Sequence, residues 1–216
     1  MNSRFSDSTI INYCADKALQ RFALVSWPTP QISGCCQIYC ARLKKSQIIN
    51  AESANFLRFK NSNDFLDLIA IAASSNETKL VITEIMQQNE SNKTVFQKTT
   101  QLVVPTAGAF NFVVGLEADN KRGLIFLVWK SGHVAVHDVQ TATALCSIHA
   151  SALIMHTVLT KTGNVLMLDP NGNMFEAILR NECLISYLES QGNLEMVVEL
   201  AIRLDVSGCR GLFNER

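Results

Sequence analysis

The feature that most constrains the fold is a succession of short apolar runs that fills the chain up to about residue 180. Each run is four to nine residues long, rich in Val, Ile, Leu and Phe, and bounded by Gly, Pro, Asn, Asp or Ser. Many short strands at this spacing, with no helical pattern between them, indicate an antiparallel all-β architecture. The predicted strands are 9–14, 22–27, 36–42, 65–73, 79–86, 99–104, 110–116, 124–129, 133–139, 153–159, 165–168 and 174–179.

One hairpin sequence occurs twice at an interval of 31 residues. KSGHVAVHD, starting at Lys130, aligns with KTGNVLMLD, starting at Lys161, and each copy follows an apolar strand. Gly132 and Gly163 occupy matching turn positions, where glycine accepts the positive φ that tight hairpin turns require. A hairpin repeated at this spacing favours a β-propeller, although two unrelated hairpins with similar turns would give the same pattern.

The pattern changes after Arg180 from short strands to helical spacing. Gly192 suits the end of one helix and Asn193 suits the N-cap of the next. The apolar stripes of the two helices comprise Leu184, Ile185 and Leu188, then Leu194, Val197, Val198, Ala201 and Leu204. Two short helices joined by Gly-Asn form a helical hairpin, which normally stacks on further helix pairs. The sequence predicts a mainly β domain over residues 1–180 and a helical segment over 181–216.

Composition and charge narrow the possible functions. The 216 residues include 19 Lys and Arg against 19 Asp and Glu, so the formal net charge is zero. Because nucleic-acid and anionic membrane surfaces attract a basic surplus, neither is an expected partner. No run reaches the roughly 18 apolar residues of a membrane span, and the N-terminus lacks the apolar segment of a secretory signal. We therefore expect a cytoplasmic globular protein.

The sequence contains no recognisable catalytic or metal-binding motif. The seven cysteines are scattered and odd in number, which favours reduced thiols. Cys35 and Cys36 point to opposite faces of a strand, and no second pair joins them and Cys40 in a zinc-binding pattern. His133 and His137 lie about 13 Å apart if both are in one strand, too far to share a metal ion. We expect no catalytic residues, no metal and no cofactor.

Four segments carry a resemblance to a known family. They are IINYCADKALQRFALVS (10–26), QIYCARLKKSQIINAESANFLRF (37–59), GLIFLVWKSGHVAVHDVQTATAL (123–145) and LISYLESQGNLEMVVELAIRLDVSGCRGLFNER (184–216). In order, spacing and coverage they resemble the clathrin heavy chain, across the later blades of its N-terminal β-propeller and the first turns of its α-helical linker. The matching positions within the second segment are Gln37, Tyr39, Ser46, Gln47, Phe56 and Phe59.

The resemblance implies a partial β-propeller of about four of the family's seven blades, followed by the first helices of an α-solenoid. It implies a structural component of clathrin-coated pits and vesicles, not an enzyme. Its expected partners are adaptor and accessory proteins that present short peptide motifs, with membranes contacted only through adaptors. The family's clathrin-box groove, light-chain-binding region and trimerisation region have no counterpart in the matched segments. A gene fragment or a divergent short paralogue would explain this, and the stop inside the solenoid favours a fragment.

The resemblance also implies two peptide sites within the matched region. Their residues in this chain are Ile38, Gln47 and Ile49 at a loop site beside the middle blade, and Thr9, Ile11 and Trp27 at the top of the propeller. At the loop site the family's aromatic, arginine and aliphatic residues are replaced by Arg21, Leu43 and Lys45, and Arg42 is a candidate for the missing arginine. Since apolar strand residues usually belong to a core, each apolar position has a purely structural alternative.

Two alternative functions come from other classes. The first is a trafficking or tethering protein of another family that has the same propeller-plus-solenoid order. The second is a small β-rich enzyme that uses a reactive cysteine, in which one thiol would react far faster than the others at neutral pH.

Overall fold

The strands and helices follow one another as the sequence pattern indicates, first β and then α. The computed structural model describes residues 10–16, 20–26, 34–61, 64–74, 77–85, 96–103, 105, 111–204 and 206, with residue 11 described for its backbone alone. The strands are β1 (Ile10–Asp16), β2 (Arg21–Ser26), β3 (Cys35–Cys40), β4 (Lys45–Asn61), β5 (Asp64–Ser74), β6 (Thr78–Glu84), β7 (Gln97–Gln101), β8 (Val113–Asp119), β9 (Leu124–Trp129), β10 (His133–Asp138), β11 (Ala144–His149), β12 (His156–Leu159), β13 (Val165–Leu168) and β14 (Met174–Ala177). The helices are α1 (Asn181–Ser190) and α2 (Leu194–Leu204).

The paired strands are antiparallel neighbours in chain order, and one long strand is shared by two sheets. β4 pairs with β3 over its first half and with β5 over its second half. A register shift between Ala51 and Ser53 separates the halves, and Glu52 lies in the resulting bulge. A bulge of this kind bends the strand and re-aims a side chain. The Glu52 carboxylate accepts a hydrogen bond of 2.8 Å from the Val113 backbone N–H.

The described strands therefore form four sheets. The first sheet comprises β1, β2, β3 and the first half of β4, and the second comprises the second half of β4 with β5, β6 and β7. The third sheet comprises β8–β11 and the fourth comprises β12–β14. We call the interface between one sheet and the next a seam, numbered from the first to the third.

The first strands of successive sheets pack side by side, which is the arrangement of blades around a propeller axis. β1 contacts β4, β4 contacts β8, and β8 contacts β12. The Asn55 side-chain amide donates to the Leu116 carbonyl at 2.9 Å across the second seam. Antiparallel sheets repeated in this way around a common centre define a β-propeller, so the chain forms part of one.

The third seam is closed by close packing between β8 and β12, and a cavity of about 800 Å³ lies at the end of these strands, beside Arg122 and Gly163. A Cβ atom added to Gly115 would lie 2.0 Å from Thr157 Oγ1, so the strands approach as closely as they do only because glycine lacks a side chain. The Thr157 hydroxyl donates to the Glu117 carboxylate at 2.6 Å. The buried Arg122 guanidinium pairs with Asp119 at 2.6 Å and also donates to the Leu179 and Gly163 carbonyls.

The repeated hairpin is confirmed. Gly132 and Gly163 have φ values of +84° and +83°. The Gly132 N–H donates to the Trp129 carbonyl at 2.9 Å, and the Gly163 N–H donates to the Thr160 carbonyl at 3.0 Å. The same turn thus connects β9 to β10 and β12 to β13.

The helical hairpin is also confirmed, with the predicted capping residues. Gly192 has a φ of +74°, and the N–H groups of Gly192 and Asn193 donate to the Glu189 and Leu188 carbonyls at the end of α1. These two bonds form a Schellman motif. Both helices share a buried apolar core with the third and fourth sheets.

Two strands were missing from the sequence prediction. β4 carries polar residues at most positions of its first half, so it lacks the apolar run that identifies a strand. β11 is an edge strand with largely exposed side chains, and its pattern is correspondingly weak. The remaining predicted strands differ from the observed ones by three residues or fewer at each end, or agree fully, within the residues that the structure describes.

A candidate peptide-binding groove

The first seam is open at the surface and contains a cavity of about 480 Å³. We call it the first-seam groove. One wall consists of β2, β3 and the first half of β4, and the other consists of the second half of β4 with β5 and β6. Its lining residues are Arg21, Ile38, Cys40, Leu43, Lys45, Ser46, Gln47, Ile49, Phe56, Ile69, Ile71, Thr83, Glu84 and Ile85.

The strand register brings three of the predicted site residues to this groove. Ile38 lies opposite Gln47, and Cys36 lies opposite Ile49. Because side chains two residues apart share one face of a strand, Gln47 and Ile49 face the same way as Ile38. Ile48 lies on the other face of β4 with 60% of its surface exposed, and it does not line the groove.

The opposite wall is apolar. Phe56 lies opposite Ile69 in the pairing of β4 with β5, and both line the groove together with Ile71. Ile69 and Ile71 are buried, whereas Phe56, Ile38 and Ile49 are partly exposed. An extended chain placed between the walls would therefore contact apolar side chains on both sides, which is a recurrent way of holding short peptides.

Three charged side chains line the groove. Arg21 is 6% exposed, and its neighbour across the strand pairing is Cys40. Lys45 is exposed at the rim, and Glu84 lies on the opposite wall, where its carboxylate accepts the Phe96 N–H at 3.2 Å. Arg42, the candidate for the missing family arginine, is exposed and is not among the lining residues. The buried cation of this site is Arg21, at the position where the family has an aromatic residue.

The Cys40 thiol is electrostatically perturbed. A hydrogen bond from the Leu43 backbone has the largest effect and lowers the pKa of Cys40, burial opposes it, and the hydrogen bond and positive charge of Arg21 each lower the pKa by a smaller amount. Burial instead raises the pKa of Cys14 to about 11 and that of Cys36 to about 12. The described lining of the groove includes no histidine, so no imidazole base accompanies the thiol there.

The predicted site at the top of the propeller lies largely outside the described residues. Thr9 and Trp27 fall outside them, and Ile11 is described only as a backbone position in β1. Sequence reasoning named Arg21 only as a departure from the family at this site, and its burial and unpartnered Nη1 atom at the start of β2 went unpredicted.

Two histidines of β10 make contacts within the third sheet. His133 packs edge-on against Trp129 with ring centroids 5.7 Å apart, and His137 is buried with Nδ1 3.0 Å from the Ala142 carbonyl oxygen. Among the described residues no three His, Cys, Asp or Glu side chains are placed to hold a metal ion. With 10 and 11 residues, neither helix in that part of the chain could cross a bilayer.

The blade-like sheets followed by helices place the chain in the class of propeller proteins with a helical extension. Comparison with curated proteins identifies its relatives within that class. The chain is 30% identical over 94% of its length to the probable clathrin heavy chain 1 of Caenorhabditis elegans, and 26% identical over 99% to clathrin heavy chain 1 of Arabidopsis thaliana. The chain is thus a homologue of the clathrin heavy chains, which confirms the resemblance read from the sequence.

The similarity covers a small part of each relative. The chain spans 13% of the length of these clathrin heavy chains. No family model matches the chain. Among solved structures, the WD40 domain of Toxoplasma gondii coronin aligns with 77% of this chain and 42% of its own, at 12% identity and a TM-score of 0.49.

Proposed function

We propose that the chain is a structural component of a clathrin-type vesicle coat, and that its first-seam groove binds short extended peptides of adaptor and accessory proteins. The observation that carries this proposal is the groove itself, because Ile38, Gln47 and Ile49 line one open apolar cleft in a homologue of clathrin heavy chains. The proposed role involves scaffolding in the cytoplasm, at coated pits and vesicles, with membranes reached through adaptors.

The dimensions of the groove support a peptide as its occupant. A cleft of about 480 Å³ is large enough for a few side chains but too small for a folded domain. Its partly exposed isoleucines would bury apolar surface against a ligand, which contributes roughly 25 cal/mol per Å². One such contact is weak, and a coat with many copies would gain its strength from avidity.

We further infer that residues 1–180 form part of a propeller and that residues 181–216 begin a helical linker. In support, β14 ends at Ala177 and α1 begins at Asn181. The core that both helices share with the third and fourth sheets would make such a linker continuous with the propeller.

Selection from a displayed library of random heptapeptides tests the binding proposal. The full chain is the bait, and enriched peptides are then measured by fluorescence anisotropy against Ile49→Ser and Ile48→Ser. Both changes remove the same isoleucine side chain from adjacent positions of β4, but only Ile49 lines the groove. We expect Ile49→Ser to weaken binding at least about tenfold, because burial of an isoleucine side chain contributes about 1.5–3 kcal/mol.

The matched variant Ile48→Ser is expected to bind like the unchanged chain. Peptides that bind both variants equally would show that binding occurs elsewhere. If no peptide is enriched that depends on Ile49, the groove is not a peptide site and the binding part of the proposal fails.

A further inference from the structure

Arg21 combines burial, charge and an unused donor inside the first-seam groove. The residue is 6% exposed, and its Nη1 atom is buried without a hydrogen-bond partner in the part of the chain that the structure describes. Because a guanidinium stays charged at all physiological pH values, burial cannot neutralise it. A charged N–H that is removed from water and left unpaired costs more free energy than a neutral one.

The surroundings of Arg21 leave that cost uncompensated. The lining of the groove around it includes five isoleucine side chains and Phe56. The guanidinium hydrogen-bonds the Cys40 side chain, which is a weak partner for a cation. Lys45 adds a second positive charge at the rim, and Glu84 is the single carboxylate among the described lining residues. The groove thus offers more positive charge and donor capacity than its own acceptors use.

We propose that the first-seam groove selects peptides that carry an acidic side chain, whose carboxylate binds Arg21 Nη1. This inference rests on the proposed peptide-binding function and specifies the chemical class of its ligand. A carboxylate fits better than a neutral carbonyl because it pairs a full negative charge with the guanidinium in a poorly solvated site, where such hydrogen bonds are strong.

The register of β3 also sets where the acidic residue falls in the peptide. Ile38 and Cys40 lie two residues apart on one face of β3, and Arg21 lies beside Cys40. Side chains two residues apart in a strand are separated by about 6.6 Å. An extended peptide that places an apolar side chain at Ile38 therefore places the acidic side chain two residues along, at Arg21.

The test uses peptides selected on the full chain from the random library, so the natural ligand need not be identified first. We expect the enriched peptides to share Asp or Glu two residues from an apolar residue. Each is resynthesised with the amide in place of the acid, Asp→Asn or Glu→Gln, and measured by fluorescence anisotropy. Binding to the unchanged chain should weaken at least about tenfold, in line with the strength of charge-assisted hydrogen bonds.

Substitution of Arg21 completes a double-mutant cycle. Arg21→Gln should bind the acidic and amide peptides equally, and Arg21→Lys should give intermediate discrimination because it keeps the charge without the planar fork of donors. Should Arg21→Gln not fold, as judged by its urea unfolding transition, the acid and amide peptides are compared on Lys45→Gln, which removes the other cation of the described lining. Full discrimination by this variant would support Arg21 as the partner, and its loss would overturn the inference.

The two ways in which binding can fail are distinct. If peptides bind in an Ile49-dependent manner but the acid and amide forms bind equally, this inference is overturned and the proposed function stands. If no Ile49-dependent peptide is enriched, the proposed function fails and this inference fails with it.

Discussion

The first and third seams join neighbouring sheets in the same way but differ in what fills them. The third seam is closed where Gly115 meets Thr157, and its polar groups, including Glu117 and Arg122, have partners, while a cavity of about 800 Å³ lies at the end of the seam beside Arg122. The first seam is open, its isoleucines are partly exposed, and Arg21 keeps an unused donor. The contrast teaches that one repeated architecture provides either a structural joint or a binding cleft, depending on side-chain size and on whether polar groups are satisfied.

The largest effect is expected from Arg122 in the third seam. Arg122→Met removes the cationic partner of Asp119, whose remaining hydrogen bonds come from backbone N–H groups, and leaves the Leu179 and Gly163 carbonyls without this donor. Breaking one side of a buried ion pair typically costs 3–5 kcal/mol, and we expect a loss of about 4 kcal/mol in urea unfolding. Arg58→Met is the matched control, since its 3.6 Å pair with Asp67 is 61% exposed on the arginine side. The control should lose about 1 kcal/mol or less.

Gly115 should give the second largest effect. Gly115→Ala introduces a Cβ atom 2.0 Å from Thr157 Oγ1, which forces β8 and β12 apart. Overpacking of this kind costs about 1–3 kcal/mol. Gly172→Ala serves for comparison, since it has open space around it but a φ of +86°, so it measures backbone strain alone. A Gly115→Ala variant as stable as the unchanged chain would contradict close packing at the third seam.

Glu117 should make the stability of the third seam pH-dependent. Burial raises its pKa, and the hydrogen bonds from Thr157 and the Leu159 backbone oppose this only in part. The folded chain therefore binds a proton more readily than the unfolded chain, whose glutamate titrates near 4.5. The stabilisation that comes from this difference in proton binding is present in full below pH 4.5. It is lost as the pH rises through the higher folded-state pKa of Glu117.

Unfolding free energies across this pH range check the prediction. Relative to Glu117→Gln, the unchanged chain should lose stability as the pH rises from about 4 to about 7. The exposed Glu199→Gln is the control and should follow the unchanged chain. A parallel course for all three proteins would exclude a protonation effect at Glu117.

Thiol alkylation is expected to affect the fold least, and it probes the first seam most directly. Cys40 should react with iodoacetamide at about pH 8 at least about 100-fold faster than Cys14, because a thiol of pKa about 11 has roughly a hundredth of the thiolate of an ordinary one. Peptide mapping by mass spectrometry measures the rates. A bound groove peptide should protect Cys40 and leave the exposed Cys183 unaffected. Similar rates at Cys40 and Cys14 would contradict the electrostatic description of the groove.

Rapid reaction of Cys40 would not by itself favour a cysteine-dependent enzyme. A catalytic thiol needs a partner that accepts or returns a proton, and the described lining of the groove contains no histidine. Protection by a peptide, without turnover of that peptide, would distinguish a binding cleft from an active site.

The elements that could be predicted from the sequence are those where the apolar pattern and the turn or capping residues indicate the same structure. The hairpin from β9 to β10 combines a fully buried strand, β9, with a glycine turn, and α2 combines an apolar stripe with an N-cap. β4 could not be predicted in this way, because its two halves are specified by different partner strands and its polar residues face solvent or another sheet. The continuity of β4 therefore depends on its tertiary contacts with β3 and β5.

The candidate site likewise contains residues that the sequence could predict and one whose role it could not. Ile38, Gln47 and Ile49 could be grouped from the sequence through the family resemblance, and the structure places them in one groove. The role of Arg21 could not be predicted, because a charged residue at the start of an apolar strand indicates neither burial nor a missing hydrogen-bond partner. Those properties depend on the second sheet, which closes over β2 from a distant part of the sequence.

The shared strand β4 has a consequence for recognition. Because both walls of the first-seam groove include part of this strand, one covalent backbone joins them, and the bulge at Glu52 sets the angle between its halves. The Glu52 carboxylate in turn is held by the backbone of the third sheet. A ligand that enters the groove thus meets walls whose spacing is built into the chain path, so that little of its binding free energy is spent on bringing the two sheets together.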